Sequence, residues 1–133
     1  MSDVRNETEP QSQREKAVAF LEGAASGRVR EVYQRYVHPE FRHHNPFFRG
    51  DRESLLRAME EAADASPNKS IEAKRVLEDG DLVAVHSRLR RADPNLPEIA
   101  VVHILRFQDG LIIEEWEAGN ELPKDSPNEY GAF

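Results

Sequence analysis

The sequence predicts a single α+β domain, with helices packed on one face of an antiparallel sheet. Three observations predict it. Apolar residues recur at helical spacing through the first half of the chain, starting near Ser12. Strand-like runs fill the second half, from Ile71 to Ala118. Two Asp-Gly pairs, Asp79-Gly80 and Asp109-Gly110, punctuate those runs as two-residue hairpin turns.

Each element has its own warrant. Met1 to Gln11 is polar and lacks apolar periodicity, so residues 1–11 are expected to be a disordered tail. Ala17, Phe20, Leu21 and Ala24 form the stripe of a first helix, which Gly23 weakens and Gly27 ends. Val29, Val32, Tyr33, Tyr36 and Val37 form a second stripe that stops near His38-Pro39, because proline disfavours helix in the residue before it. Glu40 to Gly50 reads as a short strand or extended piece and then a loop. A third helix starts at Asp51 or Arg52, carries Leu55, Leu56 and Met59, and ends by Ser66-Pro67. Strands follow over Ile71–Leu77, Leu82–Arg90, Ile99–Phe107 and Leu111–Ala118. The domain thus spans residues 12–122, and residues 123–133 read as a coil-like tail.

Composition narrows the function classes. A chain of 133 residues suits one domain with one real core. The net charge is −7, and the arginines are scattered among acids. Such a surface repels nucleic acid and anionic membrane, so neither is an expected partner. The absence of cysteine excludes disulfides, thiolate catalysis and zinc–thiolate sites. No apolar run approaches the length of a membrane span, and the start does not read as a signal peptide. The cytoplasm is the default expectation.

Turn chemistry also predicts a register. With Asp109-Gly110 as a two-residue turn, Gln108 faces Leu111 and His103 faces Trp116. A loop symmetric about Pro94-Asn95 sets His86 opposite His103. His86, His103 and Trp116 then form one row, on a face shared with Arg88, Glu114 and Asn120. That mixture of large apolar and converging polar residues is the makeup of a ligand pocket. The opposite face carries Val85, Val102 and Ile104 and, at one end, Glu115 and Glu117. Its aliphatic centre is expected to be covered by a second subunit, giving a homodimer through the sheet.

The segments YVHPEFRHHNP, VVHILRFQDGLIIEEWEAGN and ELPKDSPNEYGAF complete the pattern. Together with the element order, they resemble the SnoaL-like polyketide cyclase family of the nuclear transport factor 2-like superfamily, in its bacterial branch of predicted aldol-condensation enzymes. The likeness covers roughly Ala17 to the end and is carried by His44-Asn45-Pro46, Asp109-Gly110, Ile112 to Ala118 and Gly131-Ala132-Phe133. It implies a cone of helices and curved sheet around one small-molecule pocket, and a lyase or isomerase acting by general acid/base catalysis without metal. Two departures qualify the chemistry. The family's acid four positions after the tryptophan is Asn120 here, and its third-strand acid is His103. An amide cannot take up a proton at neutral pH.

His103 and His86 are therefore the catalytic candidates, since imidazole exchanges protons near neutral pH. They read equally as core histidines bonded to their neighbours. A two-histidine, one-carboxylate metal set with Glu114 is a further reading, but no metal-ligand spacing supports it, and no metal or cofactor is expected. His44, Arg88, Trp116, Asn120, Tyr36 and Phe48 are the ligand-binding candidates. Arg88 and Asn120 would polarise an oxygen, and Trp116 would form an apolar wall. Tyr36 and Phe48 would close the mouth, and His44 would enter from the HNP turn. A non-catalytic module binding a small hydrophobic ligand is the alternative function.

Overall fold

A computed structural model of the protein describes residue 10 and residues 12–133. The tail expected over residues 1–11 thus falls, Pro10 apart, outside the described residues. The described chain runs α1 (Gln13–Ala25), α2 (Val29–Tyr36), β1 (Val37–His43) and α3 (Arg52–Ala65). Four strands follow: β2 (Ser70–Asp79), β3 (Leu82–Arg90), β4 (Ile99–Gln108) and β5 (Leu111–Glu121).

Local chemistry sets the helix ends. The Ser12 hydroxyl accepts from the Glu15 N–H at 3.1 Å, and the Glu15 carboxylate accepts from the Ser12 N–H at 3.0 Å. This reciprocal pair satisfies two donors that α1 would otherwise leave open. Gly27 follows the helix at φ +97°, a conformation that favours glycine. Asp51 starts α3 by accepting from the Ser54 N–H at 2.9 Å. Gly23, read from sequence as a weak point, has a packing reason: a Cβ there would overlap Cγ1 of Val32 on α2.

The strands form one sheet in the order β1-β5-β4-β3-β2. β1 lies parallel to β5, and the other pairs are antiparallel. The expected meander is joined by a fifth strand, β1, which takes in the start of the segment that reads as a short strand or extended piece. α2 passes into β1 at Val37 without a loop, so Pro39 sits inside a strand. That strand is at the sheet edge, where a missing N–H is tolerated. The helices cover the inner face of the sheet. Phe20, Tyr33, Phe41, Leu56, Val83 and Leu105 are among the buried core residues. Tyr33 joins them through ring contacts at 5.6 Å to Phe20 and 6.1 Å to Phe41.

The register corrects the expected row of pocket residues. Gln108 does face Leu111, and Phe107 faces Ile112. Beyond that point Ile113 is an extra residue, a β-bulge, and Arg106 pairs with Glu114. His103 therefore faces Glu117, and Trp116 faces Ile104. The loop between β3 and β4 is shifted by one residue from symmetry, so His86 faces Val102 and His103 faces Val85. The inner face consists of Val83, Val85 and Ser87 on β3, with Val101, His103, Leu105 and Phe107 on β4. Val102 and Ile104 do lie on the outer face, but Val85 does not.

Replacing Gly23 with alanine forces α1 and α2 apart. Urea denaturation is expected to show a loss of about 1–3 kcal/mol, the usual cost of overpacking. An unchanged midpoint would mean that the two helices do not depend on this close approach.

Candidate functional site

The bulge at Ile113 decides what faces the helices. Past it, Glu115 and Glu117 turn inward, while Glu114 and Trp116 turn outward. Glu115 lies between Leu105 of β4 and His43 of β1, and Glu117 lies beside His103. These groups stand at one end of a cavity of about 180 Å³ between the sheet, α1 and α3. Its wall is apolar: Phe20 and Leu21 from α1, and Leu55, Ala58, Met59 and Ala62 from α3. Phe48 lines it from the loop after β1.

The polar end is a coupled set. Nε2 of His103 lies 3.5 Å from Oε2 of Glu117. Asn45 donates from Nδ2 to the other Glu117 oxygen at 3.0 Å. Among the described residues, the buried Nδ1 of His103 has no hydrogen-bond partner. The Glu115 side chain is buried, and burial pushes its pKa up to about 7. The charge of nearby His103 pulls it down, and that of Glu117 pushes it up. For His103, burial favours the neutral ring, but the Glu117 hydrogen bond and the charges of Glu115 and Glu117 outweigh it and raise the pKa. The same bond holds the Glu117 carboxyl below its ordinary value, against burial. The set near neutral pH is thus an ion pair beside a carboxyl poised between protonated and ionised.

The loop that carries Asn45 is fixed by His43. The Asn45 N–H donates to Nδ1 of His43 at 3.1 Å, so Nε2 carries the proton and donates to the Arg49 carbonyl at 2.6 Å. The Asn45 side-chain oxygen accepts from the Phe47 N–H at 3.0 Å. In the HHN segment it is therefore His43 that faces inward, buried, and holds Asn45 over Glu117.

Of the residues singled out from sequence, the structure brings His103 and Phe48 to the cavity. His44 lies outside, stacked on Trp116 at 5.0 Å with its Nε2 2.7 Å from Glu114. Trp116 is on the outer face, with the Arg106 guanidinium 5.7 Å from the centroid of its ring. His86 is also on the outer face; its Nδ1 is 2.8 Å from the Arg75 guanidinium, and its ring is 5.8 Å from that of Phe133. Arg88 is held by both oxygens of Glu98, at 2.9 and 2.8 Å. Asn120 is exposed at the far end of β5, opposite Ala100. Tyr36 is buried in the core cluster and does not line the cavity. His86, His103 and Glu114 are not assembled as a metal set, because His103 faces inward and the other two outward.

Glu115, Glu117, Asn45 and His43 are the site residues that sequence reasoning did not assign. The two acids had been placed on the opposite face by uninterrupted alternation. A signal was present: the consecutive aliphatics Ile112 and Ile113 just before the acids leave room for a bulge.

Helices laid over a curved, mostly antiparallel sheet, with an apolar cavity closed by a few acid and histidine side chains, make an NTF2-like α+β fold. Within that class the chain belongs to the SnoaL-like domain family, whose family model matches residues 17–115. Among solved structures, wild-type IdmH from Streptomyces antibioticus, a proposed polyketide cyclase, superposes with a TM-score of 0.68 at 19% identity, covering 82% of this chain and 93% of that one. A candidate SnoaL-like polyketide cyclase from Jannaschia sp. CCS1 also gives 0.68 at 19% identity, covering 84% and 89%. A candidate ketosteroid isomerase from Kribbella flavida gives 0.64 at 22% identity, covering 90% and 87%. No curated protein matches the chain in sequence.

The raised pKa of Glu115 has a stability consequence. Its carboxyl loses its proton near 4.5 when unfolded and near 7 when folded. The folded state is therefore favoured fully below 4.5, and that advantage is lost as pH rises through 7. The loss is on the order of 3 kcal/mol. Unfolding of Glu115→Gln and wild type across pH 4–8 should show the variant gaining relative stability by that amount. A constant difference would mean that Glu115 ionises normally in the fold.

Proposed function

We propose that the protein is a lyase or isomerase that moves a proton on a small enolisable substrate. The observation that carries this reading is Glu115: a buried carboxyl at the cavity wall with its pKa raised to about 7. A general acid/base works best when its pKa lies near the working pH. His103, the histidine expected from sequence to act, is kept in the reaction, and Phe48 is kept as a ligand contact. Glu115 takes over the proton-accepting role.

The steps follow from this chemistry. The Glu115 carboxylate removes a proton from the carbon next to a carbonyl. The C–H electron pair forms a C=C bond while the carbonyl π pair moves onto oxygen, which gives an enolate. The His103 imidazolium, kept charged by Glu117, offsets that developing charge. Protonated Glu115 then returns the proton at another carbon in an isomerisation, or the enolate expels a leaving group in a lyase reaction. Asn45 keeps Glu117 aimed at His103. Activity should rise through pH 7 as Glu115 ionises and fall as pH passes the raised pKa of His103.

The test is solvent-deuterium incorporation into acetone, cyclohexanone and 2-tetralone, followed by NMR. The wild type should accelerate exchange of at least one ketone. Glu115→Gln should lower that rate by about 10²- to 10⁴-fold, the usual worth of a general base. Absence of acceleration with every ketone, or full activity of the variant, would contradict the reading.

We also propose that two copies pair through the outer face of the sheet, and that the protein works in the cytoplasm. Val102 and Ile104 are 38% and 37% exposed, with Trp116 directly across from Ile104. Side-by-side exposed aliphatics next to an aromatic support a self-complementary contact. No described helix is long and apolar enough to cross a membrane. Ile104→Glu should convert a dimer into a monomer in sedimentation velocity, and a wild type that already sediments as a monomer would refute the pairing.

A further inference from the structure

We infer that the cavity selects an uncharged substrate about the size of one six-membered ring, and turns away carboxylates and fused polycycles. This rests on the cavity reading above and adds the substrate class to it.

Size is the first support. The cavity measures about 180 Å³. Pockets for drug-sized ligands span roughly 300–1,000 Å³, whereas an apolar cavity near 150 Å³ holds benzene. One ring with a carbonyl group fits, and a second fused ring does not. Most of the walls that set this limit belong to helices and sheet, with Asn45 and Phe48 added from the loop after β1. Leu55, Ala58 and Met59 stand on α3, and Phe20 is fully packed in the core against Tyr33. Tyr33 in turn reaches the sulfur of Met59 with its hydroxyl at 3.4 Å, which braces the wall from behind.

Charge is the second support. Glu115, Glu117 and His103 are the ionisable groups at the cavity, and among the described residues no lysine or arginine lines it. With His103 charged and both acids ionised, the site carries a net charge of −1. A carboxylate or phosphate on the ligand would be buried against that charge with no cation free to pair with it. His103 is the one positive group present, and Glu117 already engages it at 3.5 Å. Burying an unpaired charge costs several kcal/mol even after relaxation. A neutral carbonyl meets no such penalty, and the buried polar end offers it a protonated Glu115 or the imidazolium as partner.

Three probes separate size from charge: cyclohexanone, cyclohexanecarboxylate and 2-decalone. Binding is read at pH 8 from NMR shifts of the Met59 methyl and the His103 ring. Cyclohexanone should shift both signals saturably, and the other two should bind at least tenfold more weakly. Ala58→Leu, which fills the cavity, should abolish the cyclohexanone response while the variant keeps a folded spectrum. Equal or tighter binding of the carboxylate would overturn the charge selection. Equal or tighter binding of 2-decalone would overturn the size limit. No saturable shift with any probe would overturn the inference as a whole. Glu115→Gln, which should still bind cyclohexanone, separates this outcome from a failure of proton transfer: the variant reports binding without exchange.

Discussion

Ile113 adds one residue to β5 that β4 does not match, and the site depends on that insertion. Alternation along a strand is strict, so one extra residue exchanges the two faces for everything beyond it. Without it, Glu114 and Trp116 would point at the helices, and Glu115 and Glu117 would point at solvent. With it, Glu114 finds Arg42 at 3.1 Å and His44 at 2.7 Å on the outer side. These bonds outweigh the burial that opposes its charge and hold its pKa below the ordinary range. Glu115 turns inward between Leu105 and His43, where burial is the largest influence on its carboxyl and the His103–Glu117 pair adds opposing charges. Neighbouring acids on one strand thus acquire opposite protonation behaviour from a single backbone irregularity.

The energetic logic of the inner cluster is one of competing costs. A lone ionised carboxylate buried in protein loses several kcal/mol of hydration. Keeping Glu115 protonated at neutral pH costs on the order of 3 kcal/mol relative to water, from a carboxyl that would ionise near 4.5. The costs are comparable, and the His103 charge tips the balance toward ionisation. Hence the group sits near the midpoint of its titration at neutral pH. Glu117 matters here less as an acid than as the partner that keeps His103 charged. Asn45 and His43 hold that partner in place through backbone and side-chain bonds. The positioning chain runs from the HHN turn into the sheet, which gives that segment a physical role beyond shaping a loop.

Much of the fold was legible in the sequence. Helical periodicity placed all three helices, and both Asp-Gly turns sit where expected, with Asp109 at φ +55° and Gly110 at φ +78°. The inner face of β4 was also legible, because its pairing with β3 stays in step from Ile99 to Arg106. The site was less so. His103 was found because it lies on that well-read strand. His86 and Arg88 were misplaced by a one-residue asymmetry in the loop before β4, where Glu98 is drawn to Arg88 and Arg90. Glu115 and Glu117 were misplaced by the bulge. The loop asymmetry leaves no mark in a pattern of period two, and the bulge leaves only the adjacent pair Ile112 and Ile113, since the period reports which residues share a face only while pairing stays in step. His44 was favoured by the family resemblance alone; neighbouring side chains in an extended segment point opposite ways, and here it is His43 that points inward.

The family frame and the chemistry also separate cleanly. SnoaL-like membership accounts for the helices, the curved sheet and the cavity between them. It does not by itself supply the proton-transfer group, since Asn120 lies exposed and away from the cavity. The account stands on Glu115 instead. The most direct measurement is a ¹³C NMR titration of the Glu115 side-chain carboxyl in the folded protein, assigned by comparison with Glu115→Gln. A midpoint near 7 is predicted, displaced by His103→Ala because the imidazolium no longer favours the carboxylate. A midpoint near 4.5, unmoved by that substitution, would contradict it.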